Sequence, residues 1–113
     1  MAALALCSTL AFAPALASEP EHDHEEALES LAVAMADQPA HHAALAEHYR
    51  AKAAEARRDS ARHRSLGRAY RGGKQGSGAG SFHCRRISKR EAAIAAEYEA
   101  LAKLHEDEAA RRE

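Results

Sequence analysis

The chain has 113 residues, with 16 Lys and Arg against 17 Asp and Glu, eight His, two Cys and no Trp. That length holds one small domain at most, and an alanine-rich chain with 4% aromatic residues cannot fill a large core. The composition suits thin helices whose backbones approach closely over alanine.

Residues 2 to 17, AALALCSTLAFAPALA, carry no charge and end in the small-x-small pattern Ala15-Leu16-Ala17. They are predicted to be a secretory signal peptide spanning residues 1 to 17, because a membrane span needs about 20 apolar residues. No Lys or Arg precedes the stretch, so the N-terminal amine or a start further upstream must supply the positive end. Cleavage after Ala17 removes Cys7 and leaves Cys84 as the only thiol, in a periplasmic or secreted protein.

Residues 18 to 26 are acidic with two histidines and are expected to be a disordered tail. The helical domain is expected over 27–113. A short amphipathic helix is predicted from Glu25 to Ala36, followed by Asp37 as an N-cap and Pro39 in a first turn. One long helix is then expected over about 39–71 and a second over about 82–111, capped by Ser81. Between them lies a Gly-rich loop, residues 72 to 80, that no helix would cross. The expected fold is all-α: an antiparallel two-helix hairpin with an additional short N-terminal helix.

On the first long helix, His42, Ala46, Tyr49, Ala53, Ala56, Ser60, His63, Gly67 and Tyr70 step by four and three. This is a heptad stripe of small residues and tyrosines, the seam of a close-packed pair. On the second, Cys84, Ile87, Glu91, Ile94, Tyr98, Leu101 and His105 make the matching stripe. Antiparallel pairing gives facing positions a constant sum of residue numbers. The pairs His42/His105, Tyr49/Tyr98 and His63/Cys84 all sum to 147. One register thus predicts a His/His pair near the open end and a His/Cys pair near the loop, roughly 31 Å apart.

Thiolate and imidazole suit Cu(I) and Zn(II). Cu(I) accepts two ligands in a line, whereas Zn(II) needs two more, from His83, Glu91, a second chain or water. The metal candidates are therefore Cys84, His63, His42 and His105, with His83 beside them. The competing reading makes the same histidines boundary residues of the seam, bonded to tyrosine or glutamate.

Charge is unevenly spread. Between Arg57 and Arg90, the basic residues Arg57, Arg58, Arg62, Arg64, Arg68, Arg71, Lys74, Arg85, Arg86, Lys89 and Arg90 meet only Asp59 and no other acid. The near-zero net charge thus hides a dipolar rod with a basic loop end. An anionic membrane or envelope surface is one expected partner, chiefly through Arg57, Arg58, Arg62, Arg64, Arg68, Arg85 and Arg86. A head-to-tail homodimer is another. Nucleic acid is not expected for an exported chain.

The stretch AEHYRAKAAEARRDSARHRSLGRAY, residues 46 to 70, precedes a Gly-rich loop, then His83-Cys84 and EYEALAKLHEDEA. Together these resemble a group of small exported bacterial helical-hairpin proteins. The resemblance implies a fold and an exported location but no activity. Catalysis is not expected, since a thin hairpin has no substrate-sized hollow and no Ser/His/Asp arrangement stands out. Two functions remain: an exported protein that binds or buffers a soft metal, copper foremost, or a non-catalytic structural or interaction module. The module would self-associate or dock on an anionic envelope surface through its basic loop end.

Overall fold

The structure, a computed structural model, describes residues 21 to 72 and 78 to 113, with side chains from residue 25 onward. The expected signal peptide, Cys7 and Lys74 lie outside the described residues. Within them the chain is all-helical, with α1 (Glu21–Ala34), α2 (Pro39–Gly72) and α3 (Gly78–Arg112) in order.

The helix boundaries follow local chemistry with three differences from expectation. α1 starts at Glu21, so it takes in residues 21 to 26, which composition alone assigned to a disordered tail. At the start of α2, the Gln38 carbonyl accepts from the backbone N–H groups of His41 and His42. Gln38 is therefore the N-cap and Pro39 the first helical residue, where its missing N–H costs nothing. Asp37, expected to cap, instead pairs through its carboxylate with His41 Nδ1 at 2.9 Å. α3 starts at Gly78, so Ser81 is a buried helical residue and not a cap.

α2 and α3 lie antiparallel along a seam of small side chains. On α2 the buried positions are His42, Leu45, Ala46, Tyr49, Ala53, Ala56, Ser60 and Gly67. His63 is half-buried, and Tyr70, expected on the stripe, is exposed with its ring against Gly80. On α3 the buried positions are Ser81, Cys84, Ser88, Ala95, Ala102 and His105.

The α3 stripe therefore needs correcting at every second step. Ile87, Ile94 and Leu101 are 36%, 43% and 37% exposed, and the seam runs through Ser88, Ala95 and Ala102 instead. The reason is size. Ala46, Ala53 and Ser60 on α2 bring the backbones close, since the distance between axes follows the side chains at the contact. Branched side chains facing them would wedge the pair apart, so α3 turns its next position inward.

Polar pairs punctuate the seam. Ser60 Oγ donates to the Ser88 carbonyl at 2.8 Å, and Ser88 Oγ donates to the Ser60 carbonyl at 2.9 Å. Tyr49 and Tyr98 stack with ring centroids 6.1 Å apart. Leu45, Tyr49 and Ala102 form the one larger apolar cluster among the described residues, flanked by Ala36 and Tyr98.

α1 is held to α2 mainly by polar groups. Glu29 accepts from His48 Nε2 and from the Tyr49 hydroxyl, both at 3.0 Å, and Lys52 pairs with Glu25. Burial raises the Glu29 carboxyl, but the bonds from His48 and Tyr49, aided by the charges of His48 and Lys52, outweigh it and hold it low. Burial, and then the bond to Glu29, push the Tyr49 hydroxyl up to about 12. Leu28, Leu31, Val33 and Met35 stay exposed. No helix among the described residues is long and apolar enough to cross a membrane.

Candidate functional site

Two places concentrate chemistry, one at each end of the hairpin. At the open end His42 and His105 meet, with Nδ1 atoms 3.0 Å apart and rings stacked at 5.3 Å. Tyr49 lies on the other face of His105, with centroids 5.6 Å apart and planes within 12°. One Nδ1 must carry the proton and donate it to the other. Both histidines are buried, and His42 Nε2 has no hydrogen-bond partner among the described residues. Burial, and then the neighbouring His42, hold the His105 imidazole below its usual range, with Glu108 pulling the other way.

The other members of the expected metal set are placed differently. Cys84 is buried on the seam beside Gly67, where a Cβ added to Gly67 would lie 3.4 Å from the Cys84 Cβ. His63 is half-buried, and its Nδ1 has no hydrogen-bond partner among the described residues. His83 is exposed and stands edge-on to Phe82, away from the seam. No group of three or more His, Cys, Asp or Glu suited to a metal ion occurs among the described residues.

Toward the loop a cleft of about 490 Å³ runs along one flank of the hairpin. Its lining includes Arg64, Arg68 and Arg71 from α2, Arg85 and Lys89 from α3, and His63 at its side. No carboxylate lines it, and none of the five cations has an ion pair among the described residues.

The origin of this cleft is a charge ladder that stops halfway. On the same flank, Arg50 pairs with Glu106 and Arg57 with Glu99. Each step of seven forward on α2 is a step of seven back on α3. The third rung sets Arg64 near Ala92, and the fourth sets Arg71 near Arg85, all four lining the cleft. The acid is missing from the third rung, and a second cation occupies the fourth. Like charges gathered on one cleft oppose one another, and none of these cations has an ion pair among the described residues.

Of the arginines expected to meet an anionic surface, Arg64, Arg68 and Arg85 converge here. Arg57 is tied to Glu99 and Arg62 to Asp59, while Arg86 lies over the Phe82 ring at 5.6 Å. Arg58 is exposed and lines no part of the cleft. Arg71 and Lys89 complete the set, and the seven-residue ladder is the sequence signal that identifies Arg71.

No protein-family model matches the chain, and the searches of curated proteins and of solved structures return no match either.

Proposed function

We propose that this chain is an exported, non-catalytic interaction module that docks on an anionic envelope surface through the cleft at its loop end. The observation that carries the reading is the group of five cations on one flank that have no ion pair among the described residues. Near an anionic lipid surface each Lys or Arg contributes roughly 1 kcal/mol. A rigid hairpin presents all five together without ordering a loose segment first. Phosphate oxygens would replace the carboxylates that the first two rungs supply.

The test is flotation with vesicles, comparing neutral phosphatidylcholine with a mixture containing an anionic phospholipid. Binding should need the anionic lipid and fall with salt. Arg68→Ala with Arg85→Ala should lower it by at least about tenfold. Equal binding to neutral vesicles would sink the reading, as would capture by duplex DNA with no vesicle binding.

A second reading is favoured by the convergence of His42 and His105. Two imidazole nitrogens that face each other supply the two ligands of a linear Cu(I) site once the rings part from their 3.0 Å contact to admit the ion. In this reading the protein buffers a soft metal, copper foremost, at the open end, with Cys84 and His63 as a separate pair far along the seam. A Cu(I) chelator competition tests it. His105→Ala should weaken binding at least about tenfold, since one imidazole alone makes no linear pair. Cys84→Ser tells whether the thiol takes part.

A further inference from the structure

A row of large aliphatic side chains on α3 stays partly exposed among the described residues. Ile87, Ile94 and Leu101 recur at seven-residue spacing, each more than a third exposed, and Leu104 beside them is 50% exposed. The row lies roughly 150° around α3 from the ladder residues Glu99 and Glu106, hence on the opposite flank. α1 packs on α2 and leaves this part of α3 open. Arg90 follows Ile87 by three residues, and Glu97 follows Ile94 by three. Neither has an ion pair among the described residues.

The geometry points to a second copy of this chain as the occupant, with α3 laid antiparallel on α3 about a two-fold axis at Ile94. The commitment rests on heptad spacing and charge together. A seven-residue aliphatic repeat is what a helix presents to another helix. The two-fold sets Ile94 on Ile94 and sets Ile87 against Leu101 of the second copy, so the row covers itself. The same operation brings Arg90 beside Glu97 of the second copy, twice, because the interface is isologous. A parallel pairing in register would carry equivalent flanking residues to opposite sides of the interface, so Arg90 would not meet Glu97 of the second copy. The charge pattern thus selects the antiparallel arrangement.

Such a dimer is a four-helix array with both α3 helices at its centre. It leaves the basic cleft open on each outer flank, so it is independent of the docking reading above.

Sizing with in-line light scattering, on the full chain in reductant, tests the proposal. Reductant removes any contribution from a disulfide through Cys84. Twice the chain mass is expected, falling to the single-chain mass in Ile94→Lys with helicity unchanged. Ile94 lies outside the seam, so circular dichroism should show an intact hairpin. Arg90→Glu and Glu97→Arg should each lower the association constant by about tenfold, and combining them should restore it. A monomeric wild-type chain would overturn the proposal. So would a dimer indifferent to Ile94→Lys, or a double exchange that fails to restore association lost in the single variants.

Discussion

Ser60 and Ser88 hold the two long helices together by a reciprocal exchange, each hydroxyl donating to the other residue's backbone carbonyl across the seam. The side chain is small enough to sit between close backbones and polar enough to bond when buried there.

Ser88→Ala removes one donor and leaves the Ser60 hydroxyl its own acceptor, so it should cost about 1 kcal/mol. Ser88→Val adds bulk where the backbones are close and should cost more, about 1–3 kcal/mol. Urea unfolding followed by far-ultraviolet circular dichroism measures both. A valine variant as stable as the alanine variant would show that the seam tolerates width.

Gly67 faces Cys84 without positive φ, and an added Cβ would meet the Cys84 Cβ at 3.4 Å and the Ser81 carbonyl at 3.6 Å. These are contact distances, so Gly67→Ala should gain about 0.5–1 kcal/mol from helix propensity. Gly67→Leu should lose stability by forcing the helices apart. Thermal melts of the three proteins should rank alanine, glycine, leucine.

His105 makes stability pH-dependent with a definite sign. The His105 imidazole is held below its usual 6.5, by burial and then by His42, so the unfolded chain takes up that proton first. Stability should be constant above about pH 7 and fall as pH drops through 6.5, levelling once the folded form is protonated too. Around His105 stand His42 and Tyr49 from α2 and Glu108 on its own helix. His105→Gln should flatten the fall. The low Glu29 carboxyl acts separately, losing its contribution as pH falls from the ordinary carboxylate range toward its lower folded value.

The interrupted ladder predicts that Ala92→Glu separates stability from docking. A glutamate at the third rung should pair with Arg64 and raise stability by about 0.2–1 kcal/mol at low salt. It should also lower binding to anionic vesicles by placing a carboxylate in the cleft. Gains in both properties together would contradict the role given to the cleft's uncompensated charge.

Much of the hairpin is legible from spacing. The step of four and three from His42 to Gly67 marks the α2 seam, and the shared sum pairs His42 with His105 and Tyr49 with Tyr98. The α3 seam was harder to read because Ile87, Ile94 and Leu101 keep heptad spacing one position away from Ser88, Ala95 and Ala102. Hydrophobicity ranks the aliphatic row first, whereas close backbones select for size. The same displacement by one residue limits what a constant sum says about His63 and Cys84. At the basic end, charge alone does not distinguish Arg62, satisfied by Asp59, from Arg68, which has no ion pair among the described residues. That distinction depends on which flank each side chain occupies.

A seam of nearly identical small residues carries a hazard, because alanine facing alanine looks the same after a slip of seven residues. Ala53, Ala56, Ala95 and Ala102 would accept such a shift almost unchanged. The unequal pairs would not: His42 would lose His105, Tyr49 would lose Tyr98, and Ser60 would lose Ser88, facing Ala95 in one direction of slip and Ser81 in the other. These three matches act as locating pins on an otherwise uniform track. Replace them all with alanine, and the helices would remain while their alignment became one choice among several.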